Sequence, residues 1–126
     1  MIIIIAGSEK DQWFTDKLVA FAEEENLPYK VYFHSAHKET KKVLDIVNSY
    51  ANQKIIFITV AGRSNALSGV VAANTQKVVI ACPPFKDKSD FMVNINSTLQ
   101  MPSSTPVLTI LEPKNAILAA KRILNT

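Results

Sequence analysis

Cysteine and long apolar runs are scarce in this chain, and each absence excludes a class of protein. A single cysteine, Cys82, occurs among 126 residues, which excludes a disulfide framework and is typical of a reducing compartment. No apolar run approaches the roughly 18–20 residues of a membrane span. The opening MIIIIAG lacks a basic region and is too short for a secretion signal, so we expect a buried strand there. We therefore expect a cytoplasmic protein with no membrane segment.

Glycine is also rare, with three residues where average usage of about 7% would give roughly nine. Gly7 and Gly62 each follow an apolar, strand-like run directly, and Gly69 closes the polar stretch that Gly62 opens. Glycine is needed where φ is positive or where the backbone must approach another group closely. All three glycines are therefore predicted to lie in loops that serve a binding site.

The charge of the chain is weakly basic and dispersed. Lys and Arg total 14 against 11 Asp and Glu, for a net charge of +3. Apart from a small cluster at Lys38, Lys41 and Lys42, the basic residues are scattered, and aromatic residues do not interleave with them. This pattern disfavours nucleic acid as a partner and favours a small anionic ligand. The two histidines, three residues apart, do not by themselves make a metal site, so none is predicted.

Five apolar runs rich in β-branched residues recur along the chain and are separated by helical patterns. The runs are continuous rather than alternating, which is typical of strands buried on both faces of a parallel sheet. Helical periodicity covers residues 14–25, 43–50, 67–74, 91–99 and 116–124, with Pro113 near the start of the last helix. This alternation predicts one three-layer, flavodoxin-like α/β domain over residues 1–126, with five parallel strands in the order 2-1-3-4-5. The predicted strands are Ile2–Ala6, Tyr29–Phe33, Lys54–Val60, Val78–Ala81 and Val107–Leu111.

Ligands of such sheets bind beyond the carboxyl ends of the strands, where the loops are residues 7–11, 35–38, 61–69 and 82–88. In the first loop, GSEKD, Ser8 and the backbone after Gly7 can hold phosphate oxygens at a helix N-terminus. Asp11 can accept from sugar hydroxyls. The alternative is that Ser8 or Asp11 only caps the helix. Lys10 is either solvated or a phosphate contact.

The second loop, HSAHK, carries both histidines. Histidine titrates near neutral pH and is the usual acid–base residue. His37 is therefore a candidate for proton transfer, the alternative being a surface histidine that caps the next helix. His34 is assigned to structure, and Lys38 either binds an anion or is solvated.

The third loop, AGRSNALSG, is the most unusual stretch of the chain. Ser64 and Asn65 can donate to a carboxylate or to ring atoms, or they can cap the following helix. The phosphate-loop, dinucleotide and nucleophile-elbow fingerprints are all missing from the sequence. In the fourth loop two prolines stiffen the turn, and one of them can be cis. Cys82, with no base nearby, is predicted to be an inert buried thiol, and Trp13 to pack rather than to stack on a ligand.

Taken together, GSxxD, SAHK and AGRSNxL resemble the purine-biosynthetic aminoimidazole ribonucleotide carboxylase/mutase family. Further stretches fit in the same order: ANT at 73–75, ACPP at 81–84, SxLxMP at 97–102 and LEPKNA at 111–116. The resemblance runs from about residue 2 to residue 124. It implies a ribonucleotide substrate, no cofactor, and a homo-oligomer, which in this family is usually an octamer.

The family has two branches, and the third loop distinguishes them. The mutase branch moves a carboxylate from the exocyclic amine to a ring carbon, and its third loop reads AGGAAHLPG, with a histidine before the leucine. Here that position is Ala66, and Arg63, Ser64 and Asn65 replace small residues. SAHK and ACPP also resemble the carboxylase branch, which uses carbon dioxide directly, without ATP or biotin. Gln100 follows the mutase pattern instead, so a mutase stays the alternative to the expected carboxylase.

Carried over residue by residue, the resemblance implies that His37 transfers the proton and that Lys38 contacts the phosphate. Ser8 and Asp11 would bind the ribose-phosphate. The chemistry requires such groups, because the ring carbon that attacks carbon dioxide must then lose a proton, which a neutral imidazole can take. The pocket must also be tight, dry and lined by backbone donors. The other implied substrate contacts are Gly7, Lys10, Ser35, Ala36, Ala61, Gly62, Arg63, Ser64, Asn65 and Leu67.

Two departures from the family pattern occur in the loops. Lys10 replaces a serine, which can keep a phosphate contact by charge but with changed geometry, and Ser104 replaces a glycine, so the loop Met101–Pro106 is expected to differ. A non-catalytic nucleotide-binding paralogue and a flavodoxin-like binding or signalling module stay open as other functions. A receiver module is disfavoured because the first strand lacks an acidic pair for magnesium. A flavodoxin is disfavoured because the first loop lacks a Ser/Thr-rich phosphate cradle.

Overall fold

Five strands, all parallel, form the sheet of the computed structural model, which describes residues 1–126. Their order is β2-β1-β3-β4-β5, so the predicted topology and the flavodoxin-like three-layer fold are confirmed. The strands are β1 Ile2–Ala6, β2 Tyr29–Phe33, β3 Ile56–Val60, β4 Val79–Ala81 and β5 Leu108–Thr109. A 3₁₀ turn at Glu9–Asp11 leads into α1 Gln12–Glu24, and the other helices are α2 Thr40–Ser49, α3 Ala66–Ala73, α4 Lys88–Leu99 and α5 Pro113–Leu124. None of the helices is long and apolar enough to cross a membrane.

The first strand is the centre of the fold, because all five of its residues are fully buried. Alternation along the strand sends Ile2 and Ile4 to the face covered by α1 and α5, and Ile3 and Ile5 to the face covered by α2 and α3. Each buried isoleucine stabilises the fold by about 1.5–3 kcal/mol. A run of four isoleucines therefore serves two hydrophobic cores at once, which explains why it lacks the alternation of a half-buried strand.

The register of β1 determines where the loops after β1, β2 and β3 leave the sheet. β1 pairs along all five of its residues with β2 on one side and with β3 on the other. Beyond the strand ends, the N–H of Gly7 donates to the carbonyl of Val60 and the N–H of His34 donates to the carbonyl of Ala6, each at 2.9 Å. The loops that follow β1, β2 and β3 therefore leave the sheet side by side.

The largest difference from the predicted boundaries lies at β5. The strand was predicted over five residues, and only Leu108 and Thr109 pair, opposite the last two residues of β4. β5 is an edge strand and bonds to one neighbour alone, so its pairing ends where β4 ends. Leu108 is 50% exposed, whereas Val107 and Ile110 on either side of the strand are half-buried against the two cores. At the other boundaries, β3 and β4 begin two residues and one residue later than predicted.

The glycines behave differently from the sequence prediction in two respects. None of them has a positive φ, and Gly69 lies inside α3 rather than in a loop. The helix begins early because the side chain of Asn65 caps it, with Oδ1 accepting from the N–H of Ser68 at 3.1 Å. The requirement for close approach holds at Gly62, where an added Cβ would lie 3.1 Å from Nδ2 of Asn94.

Two other residues take the left-handed conformation, Asn26 with φ of 55° and Ser104 with φ of 65°. Asparagine tolerates this region, whereas most residues with a Cβ do not. Ser104 lies in the loop between α4 and β5, at the position where the resembled family has glycine. Ser104 therefore places a Cβ in a backbone conformation that favours glycine.

Replacing Ser104 by glycine should stabilise the protein. Relief of the left-handed strain, about 1–2 kcal/mol, outweighs the added flexibility of the unfolded chain, about 0.4–1 kcal/mol. Ser104→Gly should therefore raise the free energy of unfolding by roughly 0.5–1 kcal/mol in urea titrations. Ser103→Gly, at an exposed neighbour with an ordinary φ, is the matched control and should lower it. A gain of the same size in both variants would show that strain at Ser104 is not the cause.

Candidate active site

A cavity of about 140 Å³ opens at the carboxyl edge of the sheet, between the loops after β1, β2 and β3. These loops were expected to meet, and the level strand ends bring them together. All the sequence-predicted site residues line this cavity except Lys10, Lys38 and Asn65. The lining consists of Gly7, Ser8, Asp11, Ser35, Ala36, His37, Ala61, Gly62, Arg63, Ser64 and Leu67.

Backbone donors are concentrated around this cavity. The N–H groups of Gly62, Arg63 and Ser64 donate to no other group of the chain, and neither do those of Ser35 and His37. A backbone N–H beside a cavity needs water or a ligand as its partner. The loops after β2 and β3 therefore offer donors from two sides, an arrangement that suits a carboxylate or another small anion.

His37 is exposed at the mouth of the cavity. Its imidazole makes no hydrogen bond within the chain, and it does not cap α2, where the hydroxyl of Thr40 donates to the carbonyl of Ala36 instead. The capping alternative is therefore absent for His37. An imidazole without a protein partner is available to take a proton from a bound ligand.

The two candidate caps of the first loop differ in the structure. Oγ of Ser8 accepts from the N–H of Lys10 at 3.2 Å, so Ser8 does cap the 3₁₀ turn. The carboxylate of Asp11 makes no capping bond. Burial, followed by repulsion from nearby Asp90, raises the pKa of Asp11, and Lys86 opposes this rise. Asp11 is therefore a half-buried carboxyl that a ligand hydroxyl can satisfy.

Lys10 and Lys38 line an adjoining cavity of about 440 Å³ rather than the first one. The two cavities share Gly7, Ser8 and Ser35. Oγ of Ser35 accepts from the N–H of Lys38 at 3.2 Å, which turns the chain at this point. An anionic group in the second cavity would thus lie directly beside a ligand in the first.

His34, which was assigned to structure, faces Glu39. Nδ1 of His34 lies 3.3 Å from Oε1 of Glu39, and Nζ of Lys42 lies 3.0 Å from Oε2 of Glu39. Lys42 first, and His34 second, lower the pKa of Glu39. Nδ1 is buried and has no hydrogen bond of good geometry. The carboxylate of Glu39 therefore lies between Lys42 and His34. Of these two neighbours, His34 has the more buried side chain.

Asn65 has a structural position rather than a place in the cavity lining. Its Nδ2 donates to Oγ1 of Thr98 at 3.1 Å, its N–H donates to Oγ of Ser97 at 2.6 Å, and its Oδ1 caps α3. With 7% exposure, its side chain is occupied at both ends. Asn65 thus takes the capping alternative and anchors the third loop to α4, while its predicted contact with substrate stays a prediction. The peptide bond between Arg63 and Ser64, just before it, is cis.

A third cavity, of about 490 Å³, extends the first one toward α4 and shares Ser8, Asp11, Gly62 and Arg63 with it. The sequence analysis missed Asp90 and Asn94, which line it together with Lys86. Asn94 is 5% exposed, and its Nδ2 donates to the carbonyl of Pro84 at 2.6 Å. Asn94 and Thr98 occur four residues apart on the inward side of α4, a polar pair that could have drawn attention to this helix.

Trp13 and Cys82 are the remaining candidates, and Trp13 also lines the third cavity. Trp13 packs edge-on against Phe14, with ring centroids 5.5 Å apart, and the ammonium groups of Lys17 and Lys86 lie 5.2 and 5.3 Å from its ring centroid. Cys82 is fully buried, and burial raises its pKa to about 12. Its thiol is therefore inert, as predicted. Both prolines after it have trans peptide bonds, so neither takes the cis form.

The contact between Gly62 and Asn94 predicts the effect of adding a methyl group. Gly62→Ala should lower the free energy of unfolding by about 1–3 kcal/mol in urea titrations, because Asn94 is held by Pro84 and cannot retreat. Gly7→Ala is the control: its Cβ would meet its nearest atoms at 3.8 and 3.9 Å, an ordinary contact.

The double variant Gly62→Ala/Asn94→Ala separates the clash from other causes. If the methyl group and Asn94 compete for one space, the double variant loses less stability than the sum of the two single variants. Strict additivity would contradict this account of Gly62.

Comparison with known proteins gives consistent results. The family model described as AIR carboxylase matches residues 1–126. The chain is 42% identical over 121 residues to the phosphoribosylaminoimidazole carboxylase of Archaeoglobus fulgidus, covering 96% of this chain and 67% of that protein. It is 40% identical over 111 residues to the N5-carboxyaminoimidazole ribonucleotide mutase of Methanocaldococcus jannaschii, covering 87% and 68% respectively. The crystal structure of Treponema denticola PurE superposes with a TM-score of 0.89 at 37% identity, over 98% of this chain and 79% of that one.

Proposed function

This chain belongs to the AIR carboxylase family of purine biosynthesis, and from that premise we propose that it is a phosphoribosylaminoimidazole carboxylase. It would carboxylate aminoimidazole ribonucleotide reversibly with carbon dioxide, to give carboxyaminoimidazole ribonucleotide. The observation that carries the proposal is the position of His37, an unpartnered imidazole at a cavity whose lining includes residues with unpaired backbone N–H groups. Residues 1–126 would act as one domain, in the cytoplasm and without a cofactor.

The proposed reaction needs one bond and one proton transfer. The ring carbon, made electron-rich by the exocyclic amine, attacks carbon dioxide and forms the new carbon–carbon bond. The same ring carbon then loses its proton to the neutral imidazole of His37, which restores the aromatic ring. The new carboxylate is an anion, and the free N–H groups of Gly62, Arg63 and Ser64 are the donors that would stabilise it.

The ribose-phosphate of the substrate would extend from this cavity into the adjoining one. Asp11, with its raised pKa and no capping bond, would accept from ribose hydroxyls. Lys10 and Lys38 line the neighbouring cavity, where they would meet the phosphate group. Lys10, in place of the family's serine, would thus add a charge to the phosphate site.

The mutase reaction is the alternative, because one relative carries that name. Gln100, the residue that follows the mutase pattern, is exposed at the end of α4 and lines none of the three cavities. Ala66, by contrast, begins α3 directly beside the cavity loop and has no group that transfers a proton. We therefore favour the carboxylase on the residues closest to the reacting atoms.

We propose in addition that the chain forms a homo-oligomer, an octamer by resemblance to the family. On α5 the apolar side chains of Leu118 and Ala119 are half-buried, so this helix offers little free apolar surface. Larger exposed apolar side chains occur on α4 and β5, with Met92 54%, Leu99 62% and Leu108 50% exposed. Covering these side chains would remove apolar surface from water, which favours association.

The role of His37 is tested by the substitution His37→Asn. Turnover should fall by at least about 100-fold, the low end of general acid–base contributions, while binding of the ribonucleotide is retained. Lys41→Ala, at an exposed position outside the cavities, is the control and should leave turnover unchanged. Near-normal turnover in His37→Asn would remove His37 from the chemistry.

The choice between carboxylase and mutase is tested by the carbon source. With aminoimidazole ribonucleotide supplied, product formation followed by ultraviolet absorbance should rise with bicarbonate concentration, and the amine-carboxylated isomer should react poorly. Faster conversion of the isomer, without release of free carbon dioxide, would make the protein a mutase. No reaction with either substrate would favour a non-catalytic nucleotide-binding paralogue.

A further inference from the structure

We propose that the hydroxyl of Ser97 is a positioning group for carboxylation: it holds residues 62–64 of the third loop where their backbone donors meet the carboxylate of the ligand. The inference rests on the proposed function, since it concerns the carboxylate end of the same ribonucleotide site. Ser97 lies on α4 and lines none of the three cavities, so it acts only through the loop.

The bond between Ser97 and the loop carries the first step. The N–H of Asn65 donates to Oγ of Ser97 at 2.6 Å, and the carbonyl of Ser64 accepts from the N–H of Ala66 at 2.9 Å. The peptide unit between Ser64 and Asn65 is thus bonded at both its N–H and its carbonyl. Because a peptide unit is planar, it cannot rotate without losing one of these bonds. This unit directly follows the three cavity-lining residues with unpaired N–H groups, so its orientation restricts theirs.

The same helix also contacts the other end of this segment. Asn94 packs against Gly62, where an added Cβ would lie 3.1 Å from Nδ2 of Asn94. Asn94 precedes Ser97 by three residues, a spacing that places both on one side of α4. Nδ2 of Asn94 donates to the carbonyl of Pro84 at 2.6 Å, which fixes the side chain. Residues 62–64 are therefore held at both ends by one helix, and loss of the Ser97 bond releases the end nearer to α3.

The other bonds of Asn65 do not replace the bond to Ser97. Its side chain donates to Thr98 at 3.1 Å and accepts from the N–H of Ser68 at 3.1 Å. These bonds fix the side chain, whereas Ser97 is the acceptor for the backbone N–H. Asn65 is 7% exposed, so without the hydroxyl its N–H is left unpaired unless the peptide turns. Ser97→Ala therefore alters the backbone of the loop and leaves its side-chain anchors in place.

Two ligands that differ only in the carboxylate isolate this effect. All variants carry His37→Asn, so that the carboxylated ribonucleotide is not consumed while calorimetry measures its affinity. Ser97→Ala should lower the affinity for carboxyaminoimidazole ribonucleotide about tenfold, the factor that one hydrogen bond to a charged group contributes. The affinity for aminoimidazole ribonucleotide, which has no carboxylate, should not change.

With His37 intact, the same substitution should separate the two kinetic constants. Ser97→Ala should lower kcat about tenfold, by the same hydrogen bond. The KM for aminoimidazole ribonucleotide should stay unchanged, because the loop donors meet a charge only when the carboxylate forms.

Three control variants separate positioning from a general loss of stability. Ser97→Thr keeps the hydroxyl and should restore the wild-type ratio of the two affinities. Ser89→Ala removes an exposed serine of the same helix, and Ile117→Val removes a methyl group from a buried core. Both should keep the wild-type ratio. An unchanged ratio in Ser97→Ala, or a lowered ratio in Ser97→Thr, would overturn the proposal.

Amide signals in nuclear magnetic resonance spectra test the loop itself, with no ligand present. The signals of Gly62, Arg63 and Ser64 should shift in Ser97→Ala and keep their positions in Ser89→Ala. Unshifted signals in Ser97→Ala would overturn the proposal. Shifted signals in a protein that binds neither ribonucleotide would instead refute only the proposed function, so the two failures are distinguishable.

Discussion

The constraint on which the site depends is the pairing of β1 with β2 and β3 over all five residues. The three strands end at one level, and two backbone hydrogen bonds beyond their ends continue the pairing into the loops at Gly7 and His34. Loops that leave a sheet at one level can converge without long connections. The burial of β1 between two cores supplies the rigidity, because any shift of the strand would disrupt close packing on both of its faces.

The third loop has a second support, which comes from α4. Asn65 forms hydrogen bonds to Ser97 and Thr98. The side chain of Asn94 packs beside Gly62 and donates to the carbonyl of Pro84. These side chains are buried or half-buried, and in a low-dielectric interior such bonds are strong and their loss is costly. The backbone donors of the third loop are therefore fixed in place by residues that do not themselves line the first cavity. Binding loops on a rigid scaffold gain precision in this way.

Most of the fold could be predicted from the sequence, because buried parallel strands and amphipathic helices leave local patterns. β1 and β2 have the predicted boundaries. β5 does not, because an apolar run does not indicate how many of its residues pair with the neighbouring strand. The site was predictable where its residues cluster in loops after strands. Asn94 and Asp90 were not, because their nearness to Gly62 and Asp11 depends on how α4 packs, and no local pattern encodes that packing. For Asn65 the sequence left two roles open, because a polar loop residue can cap a helix or contact a ligand. Its bonds to Ser97 and Thr98, which are distant in the sequence, show the structural role.

The buried thiol of Cys82 has a practical consequence. It is the only cysteine of the chain, it is fully enclosed, and its pKa of about 12 leaves almost no thiolate at neutral pH. Alkylating reagents and peroxide can therefore reach it only when the centre of the sheet opens. The rate of thiol labelling then reports the opening of the β4 region. Labelling of Cys82 therefore measures the rate of unfolding without an added probe and without a change to the protein surface.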